Sequence, residues 1–291
     1  MMGLVRSGRS IRITGTTKPL QTTLLTGIAL FCTAIMVFPL YWVIISSLKG
    51  TVELFRSPPT LFPLHIDWTP YITNFVQSQA IWQYMSNSLQ IALGTMVLSL
   101  VLATPIAYAL ARLPVQGKNI YLLVFLVVQM FPGIMLAMSL FVMFTQLGLI
   151  NSLLAVALAV TTRTLPFAAL VMRPFFLNLP RDLEDAALVD GCTLWGAFYR
   201  IILPLSRPGL LTVAALTFLM GWSDFLFPLA LITDETKRPL TLGLYTFIGE
   251  YGTRWNDLMA VSVVAAAPII LVFIFAQRYI TSGLVAGAVK E

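Results

Sequence analysis

Four carboxylates, Asp182, Glu184, Asp185 and Asp190, crowd into the stretch DLEDAALVDGCTLWGAF (residues 182–198) of a 291-residue chain that is 58% apolar and only 10% charged. Catalysis or metal binding would ask for histidine or cysteine at ligand or triad spacing. The single histidine, His65, sits in FPLHIDW and reads as a solvated loop residue. Cys32 and Cys192 are the only cysteines, too few for a disulfide framework or a metal cluster. Gly117 and Lys118 are followed by Asn119 with no phosphate-cradling glycine upstream at Walker A spacing, so the chain is not expected to hydrolyse ATP by itself. No catalytic residue and no metal ligand is assigned. The acids therefore call for a positional explanation.

The elements around them are long apolar blocks, and mean hydropathy is +0.87. A helix needs about 20 mainly apolar residues to cross a bilayer, because in lipid the backbone must satisfy its own hydrogen bonds. Six segments meet that test: Leu24 to Ser46, Ser86 to Ala111, Asn119 to Met143, Ser152 to Phe176, Pro208 to Ile232 and Asp257 to Ile280. The first is too long for a signal-peptide core and reads as a retained span. An even number puts both termini on one side. Arg6, Arg9, Arg12, Lys18, Arg112, Lys118, Arg173, Arg181, Arg200, Arg207, Arg278 and Lys290 fall on that side, against Lys49, Arg56, Lys237, Arg238 and Arg254 on the other, which predicts cytoplasmic termini. The pI near 9.5 follows from these loops and does not imply nucleic acid.

Arg163 in the fourth span and Asp224 in the fifth are charges inside the membrane, which are costly unless they face protein or water. They read either as part of a polar pathway or as a structural element, a neutralising pair or, for Asp224, a cap on a helix broken near Pro228. Asn87 and Pro105, Gln129 with Pro132 and Gly133, Pro166, and Pro268 recur at similar depth, a pattern of interrupted helices that favours transport over anchoring. No row of acids forms a proton relay.

Within the acidic loop, Pro180 and the acids after it suit the first turns of a short helix. Gly191 permits the left-handed turn that ends it, and Thr193 can cap a second helix running to Pro204 and Pro208. Leu194, Phe198, Ile201, Ile202 and Leu205 should share one face, and Leu183, Ala186 and Ala187 another. Lipid-surface helices are usually basic on their polar face, so this acidic hairpin fits a protein groove better.

Asp185, Ala186 and Ala187, then Gly191, then Ile201, Leu203 and Pro204 resemble the EAA signature of ABC importer permeases, with Asp185 where that signature prefers Glu. The loop SSLKGTVELFRSPPTLFP, YMSNS, AYALAR, QMFPGIM, GWSDFLFPL (Ser223 where Asn is usual) and QRYITSGLVAGAVKE are similar to the sugar-importing branch, the maltose-transporter MalG type. The resemblance implies an all-α membrane protein of six transmembrane helices, the ABC importer type I (MetI-like) permease fold with a cytoplasmic coupling-helix hairpin. It divides the chain into a cytoplasmic N-terminal segment (1–23), a first transmembrane helix (24–46), an external loop (47–85), a five-helix permease core (86–281) containing the coupling loop 177–207, and a cytoplasmic tail (282–291). It implies that Glu184, Asp185, Ala186, Ala187, Asp190, Gly191, Phe198 and Pro204 couple to an ATPase, and that Gly283, Ala286, Gly287, Val289 and Lys290 contact it from the tail.

The implied partners are a second homologous permease subunit, two ATP-binding cassette ATPase subunits and an extracytoplasmic sugar-binding protein, in a bacterial or archaeal cytoplasmic membrane. No cofactor is expected on this chain; ATP and Mg belong to the partner ATPase. Asn87, Gln129, Arg163, Trp222 and Asp224 are the candidates for the translocation pathway, although a membrane tryptophan is more often an interfacial anchor. Trp68, Trp82 and Trp255 read as anchors or docking contacts. A stand-alone secondary carrier or channel gated by Arg163 and Asp224 is the alternative, and the residues do not name the sugar.

Overall fold

The computed structural model describes residues 19–249 and 252–288. Ten helices carry the architecture: α1 (Pro19–Ser46), α2 (Ala80–Arg112), α3 (Lys118–Met130), α4 (Gly133–Gln146), α5 (Leu153–Leu177), α6 (Asp182–Val189), α7 (Leu194–Ala197), α8 (Arg207–Ser223), α9 (Leu226–Leu231) and α10 (Trp255–Ala288). Shorter turns fill the connections, and the β structure among the described residues is one two-residue ladder pairing Ile248 with Thr253. Four helices are long and apolar enough to cross a bilayer, and the number reaches six if each of two bent pairs counts as one span.

Two expected spans are not straight. Asn119 to Met143 divides into α3 and α4, bent by 94°. At about 1.5 Å per residue each half is near 20 Å, short of the roughly 30 Å hydrocarbon core. The cause is local: Phe131 is extended at ψ 132°, and Pro132 has no N–H to continue the ladder. Pro208 to Ile232 likewise divides, at Asp224 and Phe225, so that Pro228 falls in the first turn of α9. By contrast α2, α5 and α10 run through Pro105, Pro166 and Pro268 without interruption. A single missing hydrogen bond is tolerated when neighbouring helices hold the flanking turns.

The centre is α2 against α5, with α8 beside both, joined through small side chains that let backbones approach. Ala92, Ala103, Ala107, Ala155, Ala159 and Ala168 are all buried. A methyl group added at Gly221 of α8 would lie 2.9 Å from Ala92 Cα. Ser99 and Thr164 add a buried hydroxyl pair at 2.7 Å. Helix α1 stands apart, its apolar residues such as Phe31 and Met36 largely exposed. Such a surface is at no disadvantage against lipid tails, which are as apolar as the side chains.

Outside the spans, residues 47–79 form a tied loop, since α2 begins at Ala80. Lys49 is 2% exposed, its ammonium donating to the Thr60 carbonyl and lying 4.8 Å from the Trp42 ring centroid. Asn256, at the start of α10, donates to the Lys49 carbonyl and accepts from Thr51 Oγ1. Glu53 accepts from Thr60 Oγ1 at 2.7 Å and from the Leu64 amide at 2.9 Å. The Thr60 hydroxyl, aided by the Leu64 amide and the Lys49 charge, holds the Glu53 carboxyl below its ordinary range.

Candidate functional site

Helix α6 opens with three acids in its first turn, where the helix dipole favours them. It closes on Gly191 at φ +85°. The Cys192 amide donates to the Ala187 carbonyl and the Gly191 amide to the Leu188 carbonyl, the paired bonds of a Schellman ending. Thr193 then caps α7, its Oγ1 accepting from the Gly196 amide at 3.1 Å. After Ala197 the chain winds as a π-helix over Phe198–Ile202 before the turn at Leu203–Leu205, and meets α8 at 75°.

The hairpin has an inner and an outer face. Arg112, the last residue of α2, donates to the Leu179 carbonyl, and its Nε lies 3.4 Å from Glu184 Oε1; the two side chains are 3% and 14% exposed. Ala187, Ala197, Phe198 and Ile202 are buried, and Phe198 packs 4.7 Å from the Tyr108 ring and 6.3 Å from Phe176 by centroid. Asp182, Asp185, Ala186, Asp190 and Gly191 face outward, with Val189, Trp195 and Tyr199. Pro204 is half-buried in the following turn.

Two expected groupings are corrected. Leu194 and Leu205 are exposed rather than sharing a face with buried Phe198 and Ile202: the π-helical turn inserts a residue and rotates the register of Leu205, which follows it, while Leu194 lies outside in the first turn of α7. Leu183 and Ala186 lie outside while Ala187 alone goes inward. Glu184 and Phe198 are thus spent on fastening the hairpin to the spans. The fastening role of Arg112 had no local sign in the sequence, since its partner lies on a different helix and basic residues are common at this end of spans.

A second set meets where both breaks converge on α5. Arg163, Thr164, Ser223, Asp224, Phe225 and Leu226 line a cavity of about 350 Å³. Gly133, the first residue of α4, leaves space for the guanidinium: a Cβ there would lie 3.4 Å from an Arg163 terminal nitrogen and 2.9 Å from Leu226. Gln129 Nε2 reaches to 3.4 Å from the Arg163 carbonyl. Asp224 caps α9, its Oδ1 accepting from the Phe227 amide at 3.0 Å. Among the described residues Arg163 forms no salt bridge within 4.0 Å.

The other pathway candidates lie elsewhere. Asn87 is buried and donates to the Thr236 and Arg238 carbonyls, both at 2.9 Å, tying α2 to a connecting loop. Trp222 stacks on Phe218 and donates to the Ala265 carbonyl at 3.2 Å, joining α8 to α10. Their polar groups are committed within the fold. Trp68, Trp82 and Trp255 are exposed. Gly283, Ala286 and Gly287 fall on the backbone of α10, while Val289 and Lys290 lie outside the described residues.

Comparison with known proteins places this geometry. The family model of the binding-protein-dependent transport system inner membrane component matches residues 103–285. The arabinooligosaccharides transport system permease protein AraQ of Halalkalibacterium halodurans is 37% identical over 94% of this chain and 98% of its own length. The trehalose/maltose transport system permease protein MalG of Thermococcus litoralis is 32% identical over 90% of this chain and 94% of its own. A crystal structure of a bacterial ABC transporter that imports the acidic polysaccharide alginate superposes with a TM-score of 0.73 at 21% identity, covering 95% of this chain and 99% of that one. The inward-facing MetNI methionine ABC transporter gives 0.54 at 19% identity, over 74% and 98%. The chain therefore belongs to the binding-protein-dependent transport system inner membrane component family and is a permease subunit of an ABC importer.

Proposed function

We propose that this permease imports a sugar or glycoside, forming half of the pathway beside a second homologous permease. Two ATP-binding cassette subunits supply ATP and Mg, an extracytoplasmic sugar-binding protein delivers the substrate, and this chain carries no catalysis and binds no cofactor. Relatives whose names specify arabinooligosaccharides, diacetylchitobiose and trehalose/maltose support the substrate class. The charge bias of the loops supports cytoplasmic termini in a bacterial or archaeal cytoplasmic membrane, and the domain limits follow from that orientation.

The observation that carries the coupling role is the two-faced hairpin. Its inner face is locked to α2 through Arg112, Glu184 and Phe198. Its outer face presents Asp182, Asp185, Ala186, Asp190 and Gly191 to solvent. A lever needs that combination, because a push on the outer face reaches the spans only through a stiff inner contact. Closure of the ATPases would move the hairpin and rock the spans between inward and outward access. The tail positions Gly283, Ala286, Gly287, Val289 and Lys290 are proposed as a second ATPase contact. A stand-alone carrier or channel would give the outer face no partner.

The test is purification of the complex from native membranes in mild detergent. Among the described residues nothing lies within 4 Å of a Cβ at Gly191, although its φ strains most side chains. Gly191→Asn tolerates that conformation and controls for strain. Wild type and Gly191→Asn should retain a Walker-motif ATPase, and Gly191→Trp and Ala186→Trp should lose it while remaining in the membrane. Retention by both tryptophan variants would refute the coupling role.

A further inference from the structure

Arg163 and Asp224 face one cavity with opposite charges, yet they do not close into a salt bridge within 4.0 Å. A pair whose purpose is mutual neutralisation would gain by closing, since attraction grows steeply as the dielectric falls. Each is instead held back: Gly133 gives the guanidinium a place to rest, and the Phe227 amide fixes the carboxylate as a helix cap. The nearby hydroxyls are partly committed, Thr164 to Ser99 at 2.7 Å and Ser223 to the Leu219 carbonyl at 2.8 Å. The remaining capacity is the donor fork of Arg163, the acceptor lone pairs of Asp224 and those of Ser223. Val160, Met220, Phe225 and Leu226 supply apolar wall.

We infer that this cavity is a subsite for an uncharged, polyhydroxylated ring, with Arg163 donating to one hydroxyl and Asp224 accepting from its neighbour. The inference rests on the sugar-importer reading and adds a direct contact and a charge preference to it. Vicinal hydroxyls are donors and acceptors at once, so they can bridge a guanidinium and a carboxylate that stay apart. The C–H face of the ring suits the apolar wall. A volume of about 350 Å³ lies at the small end of ligand cavities. The two formal charges cancel, so a sugar bearing a carboxylate gains from Arg163 but is opposed by Asp224. The subsite thus selects neutral rings over acidic ones, unlike a transporter of the same fold that carries an acidic polysaccharide.

The test uses the purified complete transporter without its binding protein, so that the permease's own selectivity is read. Saturation-transfer NMR would follow maltose, N,N′-diacetylchitobiose and digalacturonate, with wild type, Arg163→Gln and Asp224→Asn. Asparagine keeps a capping oxygen for Phe227, and glutamine keeps a donor, so both variants retain local structure. Wild type should saturate a neutral disaccharide well above digalacturonate. Each variant should lower the neutral signal about tenfold, the scale of one lost hydrogen bond to a charged group. The acidic-to-neutral ratio, insensitive to the amount of folded complex, should rise in Asp224→Asn and fall in Arg163→Gln. A wild-type preference for digalacturonate, or neutral signals and ratios unchanged in both variants, would overturn the subsite. Absence of any sugar signal from wild type would overturn it as well, and sugar uptake by cells carrying the same transporter decides the sugar-importer reading separately.

Discussion

The hairpin and the cavity each hold an arginine and an acid, and they treat them in opposite ways. Arg112 and Glu184 are brought to 3.4 Å and closed off from solvent, beside buried Phe198. Arg163 and Asp224 line a common space without pairing. A paired, buried couple fixes one geometry, because separating it would strand a charge in a poor solvent. An unpaired couple keeps its hydrogen-bonding capacity for something else. Rigidity at one end and unused polarity in the middle are the two properties a coupled permease needs.

The sharpest way to break the comparison is to remove one partner of the buried pair. Glu184→Ala should destabilise the detergent-purified protein by about 3–5 kcal/mol by leaving Arg112 buried and unpaired. The double variant Arg112→Met/Glu184→Leu should recover most of that loss in thermal unfolding. Next comes the packing that joins the two regions: Gly221→Val drives side-chain atoms into the α2 backbone at Ala92. Overpacking there should cost about 1–3 kcal/mol by the same measurement. Arg163→Gln should be milder, within about 1 kcal/mol, since no ion pair within 4.0 Å is lost among the described residues.

The smallest effect is expected outside the spans. Glu53 has a folded pKa below its unfolded one, chiefly through the Thr60 hydroxyl. Its contribution is therefore present above the unfolded carboxylate range and is lost as pH falls through the lowered folded value. Proteolysis of the 47–79 loop should accelerate over that acid window, and Thr60→Val should flatten the dependence.

The six apolar blocks and the hairpin were legible because their signals are local: runs of apolar residues, first-turn acids, Gly191 at the turn and Thr193 at the cap. The break at Pro132 was legible as a helix-breaking pair, but its 94° bend was not, since Pro105, Pro166 and Pro268 carry the same residue type within continuous helices. Proline by itself therefore does not mark where a span breaks. The same limit applies to the site. Asn87 and Trp222 have pathway chemistry, yet the carbonyls of Thr236, Arg238 and Ala265 use it up. The π-helical turn after Ala197 rotates Leu205 to the outside, a shift that helical spacing alone could not reveal.

The two-faced hairpin is tested most directly by adjacent alanines with opposite exposure. Ala186 faces outward, and Ala187 is 3% exposed. With Cys32 and Cys192 replaced by serine, Ala186→Cys and Ala187→Cys would each be treated with a thiol-to-amine cross-linker in native membranes. The account predicts an adduct with a cytoplasmic ATPase from position 186 and little from 187. Equal yields at both positions, or no ATPase adduct from 186 in a complex that still contains the ATPase, would contradict it.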